Sequence, residues 1–296
     1  MMKFIRFSVH NKATVGILSK DETNIIPVSA VIGGHTFEEM QQVIEYVGEK
    51  EVALLHEAME HPESYTNYKK NEVMVLAPIE RPRHDILCVG VNYAAHMQEA
   101  KDKVALKESP KKTVYFAKRA CSILGSGDTI RGRFDIDDEL DYEVELAVII
   151  GKEGKDIKEE EVEDYIFGYS VFNDVSSRKL QRQHAQWYRG KSLDTYTAMG
   201  PVILHKSALP FPVKVDVISR LNGEERQHSN TSLLVADLKS LIVELSQGMT
   251  LEAGDIIATG TPAGVGMGFD PPRYMKSGDV IECEIPEIGI LKNIVK

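Results

Sequence analysis

Three acidic residues, Glu143, Glu145 and Asp174, have the types and spacing to hold a metal ion. Glu143 and Glu145 stand two apart in Asp141-Tyr142-Glu143-Val144-Glu145-Leu146-Ala147-Val148-Ile149-Ile150-Gly151, whose second half is crowded with Val, Leu and Ile and ends at a glycine. That composition predicts a buried strand, on which residues two apart share a face. Asp174 closes a second strand-like run, Tyr169-Ser170-Val171-Phe172-Asn173-Asp174, and can bring a third carboxylate to the same rim. Like charges this close on a buried strand repel and lose hydration; shared protons, cationic neighbours or a metal ion relieve them. No Lys or Arg adjoins the pair in sequence, and three carboxylate oxygens suit a hard divalent cation such as Mg²⁺ or Mn²⁺. Taken alone, the Glu-x-Glu pattern also fits an edge strand that turns both carboxylates to water, with Asp174 starting a turn.

Other candidates surround this stretch. His96 and Glu99 follow the strand-like run Ile86–Val91 and lie three apart, so on a helix the carboxylate can orient the imidazole. Arg178 can meet a substrate carboxylate or pair with Asp174. Lys191 sits between Gly190 and Ser192 in the aperiodic segment from Trp187 to Asp194, which reads as a loop and is either a buried functional cation or an ordinary surface lysine. The run from Gly260 to Gly268 is neither a P-loop nor a dinucleotide fingerprint; its backbone N–H groups and the Thr261 hydroxyl can cradle a carboxylate, or it can be a tight turn between strands. His10, His35, His56 and His61 have no partners at ligand spacing.

The elements that must position these residues fall into two units. Residues 1–77 read as a small α+β domain: strands over 3–9, 13–18 and 24–28, a helix opened by the capping-box spacing of Thr36 and Glu39, and a second helix from Val52 to Met59. Residues 78–296 are richer in strands, Gly and Pro, with strands near 213–221 and 280–285 and helices over Lys158–Tyr165 and Ser232–Gln247. Residues 97–110 form a charged, marginally amphipathic stretch that can be a mobile lid beside His96 or a plain surface connection.

Composition narrows the class. At 296 residues and 43% hydrophobic content the chain buries a full core. A formal charge of −10 with scattered basic residues argues against a nucleic-acid or anionic-membrane partner. No apolar run is long enough to span a bilayer, and the N-terminus lacks the features of a signal peptide, so a cytoplasmic location is expected. Three widely spaced cysteines, Cys88, Cys121 and Cys283, suggest reduced thiols rather than a disulfide framework or a zinc site.

Together, Val89–His96, Asp141–Ala147, Asn173–Gln181, Arg189–Asp194 and Thr259–Gly266 resemble, in order, the motifs of the fumarylacetoacetate hydrolase family. The resemblance covers about residues 80–296 and implies a mixed, mostly β fold, with a β-roll core around a metal site, usually as a homodimer. It implies that Glu143, Glu145 and Asp174 ligate Mg²⁺ or Mn²⁺, and that His96 with Glu99 activates water. Lys191 would then sit beside the substrate, with Tyr93, Arg178, Gln181 and Thr261 contacting it. The expected activity is hydrolytic C–C cleavage of a 1,3-dicarbonyl acid such as an acylpyruvate. Oxaloacetate decarboxylation, or decarboxylation and isomerisation of a hydroxymuconate-type diacid, is the alternative at the same site, and a catalytically silent metal-binding protein is a third reading. One departure is visible: Arg119-Ala120 follows Phe116-Ala117-Lys118 where family members often have Pro-Ser.

Overall fold

The computed structural model describes residues 1–101, 103 and 112–296. The stretch expected as a lid over 97–110 therefore lies largely outside the described residues; its first residues end the helix Ala94–Ala100.

The strand predicted to carry the acidic pair is Val144–Ile150, and all seven of its residues are buried. Its alternate side chains feed two different cores. Leu146, Val148 and Ile150 join the cluster that includes Val217, Ile281 and Leu291, whereas Ala147 and Ile149 join the one that includes Phe4, Val43 and Leu55. A strand with apolar neighbours on both faces reads as a near-continuous hydrophobic run, as this one does. It lies between Ile166–Asp174 and Ile256–Ala258, pairing antiparallel with both, so the edge-strand reading of the acidic pair does not hold.

These three strands belong to an eleven-stranded sheet that continues through Ile86–Gly90 to Val114–Lys118 on one side. On the other it passes through Thr197–His205 to Lys3–Val9 and the remaining N-terminal strands. The N-terminal residues thus extend the main sheet, through the register Lys3↔Leu204 and Phe4↔Ile203. A second, five-stranded sheet, Glu224–Asn230 to Thr129–Ile130 in spatial order, packs across the first. The architecture is mixed and sheet-dominated, as expected. No helix among the described residues is long and apolar enough to cross a membrane.

Helix boundaries depart from expectation for local reasons. The first long N-terminal helix starts at Met40, because the Gln42 side chain accepts from the Glu38 and Glu39 N–H groups and sets the cap at Glu39, three residues beyond Thr36. The stretch predicted as a helix over Ser232–Gln247 is helical only over Leu238–Ser246. Asp237 caps it by accepting from Ser240 N at 2.8 Å, while Asn92 pins the preceding segment through Val235 N and Ala236 N. Leu233, which fits the apolar period of that stretch, is 63% exposed. Lys158–Tyr165 forms a 3₁₀ helix over Glu159–Tyr165, and the predicted loop after Trp187 contains the helical turn Tyr188–Lys191.

Candidate metal centre and active site

Glu143 precedes the central strand rather than sharing its pleat with Glu145. The strand is interrupted between Leu140–Asp141 and Val144–Ile150, and Asn173 Oδ1 accepts from Glu143 N at that interruption at 3.1 Å. The Asp174 N–H donates to Glu143 O at 2.9 Å. These bonds bring Glu143, Glu145 and Asp174 together, buried, with candidate ligand oxygens all within 4.8 Å of one another.

Cations absent from the local sequence arrive from elsewhere in the fold. Lys191 Nζ lies 2.8 Å from Glu143 Oε2 and 2.7 Å from Asp174 Oδ2. Lys118, fully buried at the end of its strand, donates to Asp174 Oδ1 at 2.5 Å and to Val175 O at 2.9 Å. Arg178 pairs not with Asp174 but with Asp141 Oδ2 at 2.8 Å and Glu143 Oε1 at 2.7 Å, and its Nη1 donates to Gln181 Oε1 at 3.1 Å. Burial opposes ionisation of Glu143, but Lys191, Arg178 and His96 outweigh it and hold its pKa at about 2. Burial, Asp174 and Glu143 all push Glu145 well above the usual carboxylate range.

The charge balance explains that asymmetry. Among the described residues of the centre, Asp141, Glu143, Glu145 and Asp174 are buried with Lys118, Arg178 and Lys191, one cation too few. Glu145 is the carboxylate without a cationic contact among the described residues; it accepts from Gly260 N at 2.8 Å. An all-oxygen donor set, buried and one charge short, fits a hard divalent ion.

The glycine-rich turn is occupied by the protein's own carboxylates. Gly260 N donates to Glu145, Gly264 N to Glu99, and Gly266 N and Met267 N to Asp141. Thr261 Oγ1 donates to Val144 O at 2.9 Å and accepts from Gln227 Nε2 at 2.7 Å. A Cβ at residue 268 would fall 1.8 Å from Glu99 Oε1, so any larger residue there would displace the Glu99 carboxylate from its present position.

His96 is buried on the helix Ala94–Ala100, its Nδ1 2.9 Å from Glu99 Oε2. With Nδ1 engaged by the carboxylate, Nε2 is the basic nitrogen. His96, Glu143, Arg178, Gln181, Lys191 and Thr261 all line one cavity of about 20 Å³, room for about one water molecule. Tyr93 is buried beside Glu145, which together with burial raises its hydroxyl pKa, but it does not line that cavity.

Four residues of the centre carried no role in the sequence reading: Lys118, Asp141, Asn173 and Gln227. The partners of Asp141 and Lys118 lie 37 and 56 residues away, and that of Asn173 30 residues away. Gln227 reaches the site from the second sheet, accepting from Val144 N at 3.1 Å. A lysine ending an apolar strand, as in Phe116-Ala117-Lys118, was the one available signal.

Residues 85–296 match the family profile described as fumarylacetoacetate (FAA) hydrolase C-terminal. The oxaloacetate tautomerase YisK of Bacillus subtilis (strain 168) is 40% identical over 309 aligned positions, covering 99% of each chain. Among solved structures, a fumarylacetoacetate hydrolase from psychrophilic Exiguobacterium antarcticum is 39% identical with a TM-score of 0.83, covering 100% of this chain and 99% of that one. A maleylpyruvate hydrolase from Sphingobium sp. SYK-6, solved with manganese(II) ion and pyruvate, is 26% identical with a TM-score of 0.76, covering 99% and 98%. Motif order, the fold around the acidic triad and these matches agree, and the chain belongs to the fumarylacetoacetate hydrolase family.

Proposed function

We propose that this protein is a metal-dependent enzyme that moves a proton on a compact 2-oxo diacid, interconverting the enol and keto forms of oxaloacetate. The observation that carries this reading is one small cavity lined by Glu143 of the buried acidic triad, by Lys191 and by His96, whose Nδ1 meets Glu99. The tautomerase relative, matched over 99% of both chains, supports the choice of reaction. Bound by Glu143, Glu145 and Asp174, a Mg²⁺ or Mn²⁺ ion would supply Lewis-acid stabilisation of negative charge developing on the 2-oxo oxygen.

The chain's own residues account for the proton. His96 Nε2, oriented by the contact of Nδ1 with Glu99, takes the proton from the carbon between the two carbonyls. The electron pair left behind becomes an enolate, towards whose oxygen Lys191 can direct a hydrogen bond. Protonation of that oxygen gives the enol, while return of the proton to carbon restores the ketone. Gln181, Arg178 and Thr261 contribute the polar wall that orients the carboxylates. Removing one such stabilising donor costs roughly 10² in rate.

Hydrolytic C–C cleavage of an acylpyruvate is the second reading, favoured by the maleylpyruvate hydrolase relative and by the room for a water in the cavity that His96 lines. The same Nε2 would then take its proton from water, and scission would leave the same kind of enolate. Decay of enol-oxaloacetate absorbance, corrected for metal alone, separates the readings when run beside acetylpyruvate loss. Metal-dependent, EDTA-sensitive acceleration of the first, abolished in His96→Gln, is expected. Loss of acetylpyruvate without any acceleration of enol decay would overturn the tautomerase reading in favour of hydrolysis.

A further inference from the structure

The apolar side of the same cavity is built as deliberately as the polar side. Trp187, the only tryptophan of the chain, is 8% exposed and stands edge-on to Phe116, with ring centroids 5.3 Å apart and planes at 67°. Phe116 in turn lies 5.2 Å from Lys191 Nζ. Both rings line the cavity. The indole rests directly on Gly90, where a Cβ would fall 2.5 Å from Trp187 Cζ3. Gly90 does not have a positive φ, so space, not backbone conformation, calls for glycine there.

The wall is also tied to the charged centre. Lys191 N donates to Trp187 O at 3.1 Å, so the indole and the ammonium are carried by one helical turn. That turn cannot slide, because Gly190 packs against the main chain of Gln181 and Ser177, where a Cβ would fall 2.6 and 2.8 Å from backbone atoms. A substrate held at its 2-oxo acid end by the polar wall therefore meets two fixed aromatic rings as its chain lengthens.

We infer that Trp187, seated on Gly90 and braced by Phe116, is the residue that limits substrate length, confining the site to short 2-oxo acids. The inference rests on the proposed 2-oxo acid chemistry for the identity of the anchored end. It involves no bond-making step and concerns only which chains fit. An apolar pocket discriminates roughly 10- to 200-fold per methylene, so a rigid wall gives a break in affinity at one chain length rather than a gradual decline.

The test uses binding and turnover together. Pyruvate and its straight-chain homologues of increasing length are titrated into the Mn²⁺-loaded protein, with calorimetry as the readout common to wild type, Trp187→Phe and Trp187→Ala. In the wild type, emission of the single tryptophan reports contact with the wall directly. Expected is a sharp loss of affinity at one length in the wild type, a later break in Trp187→Phe, and at least a 10-fold recovery for the longer acids in Trp187→Ala. Affinity for pyruvate itself should stay within a few-fold. Parallel loss for all lengths, or an unchanged break in Trp187→Ala, would overturn the inference. If the wild type shows the break but accelerates no enol decay of oxaloacetate, the wall stands and the tautomerase reading falls.

Discussion

The carboxylate centre and the seam between the N-terminal strands and the main sheet are equally buried, yet their physics is opposite. At the seam, strand Lys3–Val9 meets Thr197–His205, and Phe4, Phe167 and Ile203 pack with no exposed surface on Phe4 or Ile203. Its buried imidazole, His205, sits edge-on to both phenyl rings. At the centre, four carboxylates and three cations occupy a comparable depth with one charge unmatched. Apolar burial at the seam stabilises the fold, whereas desolvated charge at the centre costs stability unless an ion completes it. The seam builds the protein and the centre is held by it.

The largest expected effect of this contrast is Glu145→Gln. It should weaken divalent-ion binding roughly 10²-fold or more and abolish metal-dependent activity, since even residues behind the ligands cost 10- to 100-fold. Because the substitution removes the unmatched charge, the metal-free melting temperature should not fall and can rise, as differential scanning calorimetry would reveal. A clear fall would mean that Glu145 has a partner the contrast does not include. Phe4→Ala should do the reverse: about 3–5 kcal/mol lost in denaturant unfolding, with metal affinity of the folded fraction unchanged.

The two regions should also answer protons in opposite directions. Burial, with Lys206 and His56 adding to it, lowers the His205 pKa from 6.5 to about 4. A depressed histidine pKa means the unfolded chain binds the extra proton first, so the seam loses stability as pH falls from about 6.5 to about 4. Integrated over that window the loss is on the order of 3 kcal/mol, and His205→Phe should flatten it. Glu145 has a raised pKa, so its contribution in the metal-free protein is greatest below the ordinary carboxylate range and is lost as pH rises through its folded value. Saturating Mg²⁺ should abolish that alkaline slope and leave the acid one. The smallest effect belongs to the surface clasp across the seam, where Arg83 reaches Glu45 and Glu252 at 2.8 Å each with 39% of its side chain exposed. Arg83→Ala should cost less than about 1 kcal/mol; a larger loss in urea titration would show that the clasp, not the apolar packing, holds the N-terminal strands.

The contrast also marks how far the sequence could be read. The acidic triad was legible because Glu143, Glu145 and Asp174 each sit at the end of a strongly apolar run, where charge stands out. His96 and Glu99 were legible because their spacing is local. Of the compensating cations, Lys191 was read as either a buried functional cation or a surface lysine, whereas Arg178 was assigned a substrate carboxylate or Asp174, and its partners proved to be Asp141 and Glu143. Long-range ion pairs leave no periodicity, so neither this pairing nor that of Lys118 with Asp174 could be inferred from spacing. The glycine turn was read as either a carboxylate cradle or a tight turn between strands, and the carboxylates it holds are Glu99, Asp141 and Glu145 of the protein itself. In the fold, the strands were legible from alternation and apolar runs. The helix expected from Ser232 was overextended because Leu233 and Leu234 fit its period, while Asn92, distant in sequence, holds that segment as a loop.

The most direct test of the account titrates Mn²⁺ into the metal-free protein by calorimetry in two buffers of different ionisation enthalpy, beside Glu145→Gln. A buried carboxyl whose pKa is raised for lack of a cation gives up the proton it holds when an ion binds. Expected is saturable binding of one ion per chain with proton release in the native protein, and loss of both in Glu145→Gln. Binding of equal strength in the two proteins, or no saturable binding in the native one, would contradict the claim that Glu143, Glu145 and Asp174 form a divalent-cation centre.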